Sequence, residues 1–166
     1  MLAAIPVWAD ETTGSDPTPE FFRANELSLD LFGTGSVGRY TLDHVSGNRI
    51  KENGRLGAGA GLNYFFTRNL GIGLDAYSEN TAASFVDSGS ANLILRLPLG
   101  QSRFAPYIFG GGGRNFEQLR SWFVDAGVGI ECRITSHLGA FIDARGAMPD
   151  KGTYYGVGRA GLRLAF

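Results

Sequence analysis

From Glu26 to Phe166 apolar and polar residues alternate one by one, and the pattern stops and restarts to give eight segments. Period two is the spacing of a β-strand whose two faces meet different surroundings. The first predicted strand, near 26–36, sets Leu27, Leu29 and Leu31 against Ser28 and Asp30. The second, near 55–66, sets Leu56, Ala58, Ala60, Leu62, Tyr64 and Phe66 against Gly57, Gly59, Gly61 and Asn63. A third sets Leu70, Ile72, Leu74 and Ala76 against Gly71, Gly73 and Asp75, and a fourth sets Ala91, Leu93, Leu95 and Leu97 against Asn92 and Arg96. In the fifth, Ala105, Tyr107, Phe109 and Gly111 are read as the apolar phase. The sixth places Trp122, Val124, Ala126, Val128, Ile130, Cys132 and Ile134 against Asp125, Glu131 and Arg133. The seventh places Leu138, Ala140, Ile142 and Ala144 against Asp143 and Arg145; the eighth places Tyr154, Ala160, Leu162, Leu164 and Phe166 against Arg159 and Arg163.

Strands of roughly 9–11 residues match what a tilted membrane strand needs. The connections near 67–69, 98–102 and 135–137 are short, and those near 37–54, 78–84, 114–120 and 147–153 are longer. Short turns at one end and longer loops at the other predict an all-β fold, an eight-stranded antiparallel up-and-down transmembrane barrel. An even strand count places both ends of the barrel on the short-turn, periplasmic side.

Alternation alone also suits a soluble lipocalin-like barrel with its apolar face inward. The polar phase decides between them. It is mostly glycine, interrupted by Asp30, Asp75, Asp125, Glu131 and Asp143 and by Arg96, Arg133, Arg145, Arg159 and Arg163. Balanced acids and arginines with glycines between them fill a narrow lumen, where each charge has a partner. They would make a poor solvated skin. Phe32, Ile94, Ile108 and Phe141 fall on the same phase and are expected to fill space opposite glycines. Pro106 is expected near the periplasmic rim, because proline removes a ladder hydrogen bond. Tyr64, Phe66, Trp122, Tyr154 and Phe166 lie on the apolar phase near strand ends, as interface aromatics do.

Composition narrows the picture further. Hydrophobic residues make up 43% of the chain, yet no apolar run is long enough for a spanning helix. A net charge of -1 gives no field for nucleic acid. Positive charge is almost all arginine, with Lys51 and Lys151 the two lysines, which suits fixed ion pairs. Cys132 is the single cysteine, so neither an internal disulfide nor a cysteine zinc site is expected. The apolar start ending Val7-Trp8-Ala9 reads as a residual signal peptide over 1–9, and the polar stretch with Pro17 and Pro19 reads as a flexible segment over 10–25. The barrel then occupies 26–166.

Over 26–166 the chain resembles the small OmpA/OmpX-type outer-membrane proteins. The resemblance rests on the final strand, Ala160, Leu162, Leu164 and Phe166 on one phase, and on Tyr64-Phe65-Phe66-Thr67-Arg68-Asn69-Leu70, which is similar to the group's periplasmic turns. Gly158 stands where such strands often carry an aromatic. The resemblance implies that Leu162, Leu164 and Phe166 form a signal for the barrel-assembly machinery. It also implies a monomer held among outer-membrane lipid and lipopolysaccharide.

Candidate chemistry is sparse. Gly33-Thr34-Gly35-Ser36-Val37-Gly38 matches GxGxxG, but no helix is predicted after it, so a dinucleotide site is not expected. Gly110 to Gly113 lack a following Lys-Ser/Thr and are read as thinning the barrel wall. His44-Val45-Ser46 resembles the His-x-Ser element of outer-membrane lipid A deacylases, with Glu52 as a possible acid, but falls in the first long loop rather than on a later strand. His137 is expected at the opposite end. No metal cluster or cofactor is expected. The function read from these features is a structural, envelope-integrity or surface-interaction role without catalysis, in a bacterial outer membrane. The alternatives are a narrow porin-like channel, a lipid A-modifying enzyme or a soluble binding barrel.

Overall fold

The computed structural model describes residues 20–38, 40–42, 49–51, 54–79, 85–116, 120–151 and 153–166. The export-signal reading over 1–9 and the His44-Val45-Ser46 element with Glu52 lie outside them.

Eight strands close into one antiparallel barrel: β1 Glu26–Val37, β4 Arg55–Phe65, β5 Leu70–Ser78, β6 Ser88–Arg96, β7 Phe104–Asn115, β8 Ser121–Arg133, β9 Leu138–Pro149 and β10 Tyr155–Ala165. Each pairs with its chain neighbour, and β1 pairs with β10, from Ser28 opposite Ala165 to Val37 opposite Gly156. Every strand therefore has two partners and no edge is left to aggregate. A small hairpin, β2 Tyr40–Leu42 with β3 Arg49–Lys51, sits within the first long connection. The glycines of the GxGxxG match are part of β1 and its end, not the mouth of a helix.

Two of the three short turns are built the same way. Thr67 Oγ1 accepts from the amides of Asn69 (3.2 Å) and Leu70 (3.0 Å), and Thr135 Oγ1 accepts from His137 (3.2 Å) and Leu138 (3.0 Å). A threonine hydroxyl that bonds amides two and three residues on fixes the reversal locally. The Thr-x-x-Leu spacing needed for it occurs at both sites. In the remaining short turn, Gly100 takes φ +60°, a conformation that suits glycine.

The alternation of the strands maps onto inside and outside. Leu31, Leu62, Leu74, Leu93, Val128, Ile142 and Leu162 point outward and are exposed, while Asp30, Asn63, Asn92, Asp143 and Arg163 on the opposite phase are buried. Strand β7 differs from its sequence reading. Tyr107 and Phe109 are buried at 4% and 6%, whereas Ile108 is 51% exposed. Ile108 therefore does not fill the lumen. The physical reason lies across the strand pair: Tyr107 is opposite Gly129 and Phe109 opposite Gly127. A Cβ on Gly129 would come within 2.5 Å of the Tyr107 ring, so the rings fill space that the glycines vacate. Phe32, Ile94 and Phe141 do point inward and are buried. Pro106 is the third residue of β7, at the short-turn end.

Candidate functional site: the charged interior

The inward phase of the strands stacks two ionic clusters along the barrel axis. The first lies nearer the short turns. Glu26 accepts from Arg96 Nη1 at 2.8 Å and from Arg133 Nη2. Glu131 accepts from Arg133 Nε and from Arg163 Nη1 at 2.6 Å. Asp30 takes Arg163 in a two-pronged grip, Nε to Oδ1 and Nη2 to Oδ2, both at 2.7 Å. The planar fork of arginine matches a carboxylate in this way, which lysine does not. Asn63 Nδ2 adds a bond to Asp30 Oδ2 at 2.9 Å. Three carboxylates face three guanidinium groups, and the side chains of Glu26, Arg96, Glu131 and Arg133 are fully buried.

The second cluster lies nearer the long loops. Asp143 holds Arg159 through Nε to Oδ1 and Nη2 to Oδ2, both at 2.8 Å, and accepts the Tyr107 hydroxyl at 2.7 Å. Asp75 accepts from Arg145 Nη2 at 2.9 Å and from Arg159 Nη1 at 3.1 Å. Arg145 Nη1 also donates to Asp125 at 2.9 Å and to Ser90 at 2.9 Å. Here three carboxylates face two arginines. Asp125 Oδ1 and Arg145 Nε have no hydrogen-bond partner among the described residues.

All ten charged residues expected in the lumen are found in these pairs. Among the described residues Glu26 joins these pairs as a further acid. It lies on the same phase as Ser28 and Asp30, so extending the period of β1 to its first residue would have found it. Rings separate and cover the charges. Phe65 lies under Arg96 at 3.7 Å, and Phe32 and Phe141 flank Arg159 at 4.9 and 5.9 Å. Phe123, Ala147, Tyr155 and Val157 form an apolar layer at the long-loop end. At the short-turn end the cover is Phe22, 1% exposed, with the guanidinium groups of Arg96 and Arg133 at 4.9 and 5.2 Å from its ring. Phe22 lies in the last part of the segment read as flexible over 10–25 and is buried against the barrel end. The Arg23 amide bonds Glu26, and Asn25 turns the chain into β1 with φ 55°.

Between the clusters lies a cavity with about 10 Å³ open to the centre of a water molecule, bordered by Asp30, Asn63, Asp75, Asn92, Arg159 and Arg163. That is space for about one water.

The other expected residues are placed as follows. Tyr64, Phe66, Trp122, Tyr154 and Phe166 all point outward and are exposed, in two bands near the ends of the barrel. Tyr64 and Phe66 pack edge to face at 5.2 Å. Leu162, Leu164 and Phe166 share the outer face of the last strand, and the Phe166 amide bonds the Leu27 carbonyl. His137 sits in a short turn, 2.9 Å from the hydroxyl of its neighbour Ser136. Cys132 faces outward and is half-buried. Among the described residues no group of three or more His, Cys, Asp or Glu is arranged to hold a metal ion. Every carboxylate of the two clusters is engaged by at least one arginine.

No family model matches the chain, and no curated protein matches its sequence. Solved structures do match. The N-terminal β-barrel domain of OprF from Pseudomonas aeruginosa superposes with a TM-score of 0.63 at 15% identity, covering 87% of this chain and 99% of that one. Neisserial surface protein A superposes with a TM-score of 0.55 at 16% identity, covering 85% and 96%. The outer membrane protein OprG from Pseudomonas aeruginosa superposes with a TM-score of 0.53 at 13% identity, covering 87% and 97%. The chain thus has the closed, eight-stranded, all-β fold of the small OmpA/OmpX-like outer-membrane barrels.

Proposed function

We propose that this chain is an integral outer-membrane protein whose role is structural or surface-interacting, with the lumen closed by ion pairs and no catalysis. The observation that carries the reading is the sorting of charge. Eleven acidic and arginine side chains are gathered and paired inside, while large apolar side chains such as Leu56, Leu74, Val128, Ile142 and Leu162 are exposed outside. In water that exterior would be an aggregation surface; in hydrocarbon it is the favourable one. A soluble binding barrel would carry the two phases the other way round. The likeness to OprF, OprG and Neisserial surface protein A supports the same location through the fold.

Within this reading the outward rings Tyr64, Phe66, Trp122 and Tyr154 sit at the headgroup levels. Leu162, Leu164 and Phe166 are the segment offered to the barrel-assembly machinery. The lumen is filled rather than conducting, because an eight-stranded barrel is just wide enough for its side chains and the central cavity takes about one water. Refolded protein should resist SDS at room temperature and change mobility on boiling, and planar bilayers containing it should stay silent. A detergent-free soluble monomer would overturn the membrane reading. Steady conductance would overturn the closed lumen.

A further inference from the structure

With Tyr107 and Phe109 turned inward, the outer phase of β7 carries one charge. Within the eight barrel strands of the described residues, every outward-facing side chain is uncharged except that of Arg114. It shares the outer phase of β7 with Phe104 and Ile108, opposite Trp122 on β8 and Gly89 on β6. Its guanidinium lies 5.2 Å from the centre of the Trp122 ring. Gly89 leaves the other flank low, and exposed Phe116 closes the patch. Among the described residues no carboxylate is paired with Arg114. Asp150 is nearby through its amide bond to the Trp122 carbonyl, and exposed Arg120 precedes β8.

The height of Arg114 is what gives this arrangement meaning. It lies ten positions along the strand from Phe104, the outward ring at the other end of β7. At about 3.3 Å per residue and a tilt of about 40°, that is about 25 Å along the barrel axis. An apolar band of about that height is what the bilayer core demands. Arg114 and Trp122 therefore stand at the headgroup level of the long-loop leaflet. A guanidinium there with no carboxylate partner among the described residues, steadied on an indole face, presents its fork of donors to an anion. The oxygens of a phosphate fit that fork in pairs.

We infer that Arg114, stacked on Trp122, is a binding site for the phosphate of a lipid A headgroup in the outer leaflet. The inference rests on the membrane reading, since it takes the long loops as the outer side. Lipid A is the chosen occupant because it is the phosphorylated lipid of that leaflet.

The test uses the full chain refolded into phosphatidylcholine nanodiscs. Bisphosphorylated lipid A, its dephosphorylated form and phosphatidylglycerol are titrated in, with retained lipid counted by native mass spectrometry. Wild type should hold bisphosphorylated lipid A about tenfold more tightly than either R114Q protein or wild type with dephosphorylated lipid A. Phosphatidylglycerol, whose phosphodiester carries less charge than the phosphomonoesters of lipid A, should lose much less than lipid A on going from wild type to R114Q protein. Arg114→Lys should fall between, since it keeps the charge and loses the fork. Because Arg114 takes no part in the interior pairs, R114Q protein should keep the mobility shift on boiling. Equal retention by wild type and R114Q protein, or a phosphatidylglycerol preference matching that for lipid A, overturns the site while leaving the barrel standing. Failure to insert into nanodiscs at all would instead count against the membrane reading.

Discussion

Glu131 offers the sharpest way to probe the interior. Its side chain is fully buried and engages Arg133 and Arg163, with Arg96 Nη1 at 3.8 Å. Replacing it by glutamine keeps the volume and removes the charge, which leaves three guanidinium groups facing Glu26 and Asp30. One unit-charge contact at roughly 4 Å is worth about 4 kcal/mol at an effective dielectric of about 20. Breaking a buried pair by removing one partner costs about 3–5 kcal/mol after relaxation. E131Q protein should therefore lose about that much stability. Arg133→Met should cost a similar amount, because it leaves Glu26 and Glu131 with one cation fewer. Combining the two restores two acids against two arginines, so the double variant should be at least 2 kcal/mol more stable than the sum of the single effects. Reversible urea unfolding in lipid vesicles, followed by tryptophan fluorescence, measures all four proteins. A loss below 1 kcal/mol for E131Q, or additivity within about 0.5 kcal/mol, would refute the argument that charge balance holds this cluster together.

Other perturbations separate the remaining claims. Val128 faces outward near the middle of β8, so Val128→Arg should cost about 2–4 kcal/mol in vesicles, where a solvated surface would absorb it without loss. Gly129→Ala should destabilise by about 1–3 kcal/mol, since its methyl would collide with Tyr107 and Asp143, while Gly146→Ala meets nothing within 4 Å and should be near neutral; the same urea titrations compare them. Thr67→Val and Thr135→Val should each cost about 1 kcal/mol through the lost turn acceptor, and the two costs should add because the hairpins are separate.

The eight strands were legible because each meets unlike surroundings on its two sides, and such strands write period two into their sequence. The ten interior charges were legible for the same reason: a barrel this narrow concentrates charge on one phase. Where both phases are apolar the rule loses force. In β7 the aromatics Tyr107 and Phe109 outweighed Ile108 and the small residues beside it, although rings go inside here because Gly127 and Gly129 make room. Pairing those glycines with the rings across β7 and β8 was the missing signal. It needs the register, which hydropathy alone does not supply. Phe22 precedes the periodic segment and carries no pattern of its own; its burial depends on Arg96 and Arg133, which are distant in sequence. Glu26 stands at the edge of β1, where the phase of Ser28 and Asp30 already points it inward.

The grip of Asp30 on Arg163 crosses the seam where β1 meets β10. Arg163 lies three residues from the end of the sequence given, and it also serves Glu131. Without the last strand Asp30 and Glu131 would lack Arg163, and Asp75 and Asp143 would lack Arg159, and charges crowded together without their partners are costly. Arrival of the last strand thus supplies both the missing ladder and the missing positive charge in one event. Joining the final stave is therefore favoured by charge as well as by backbone pairing, and a barrel left open at that seam keeps four acids short of a partner.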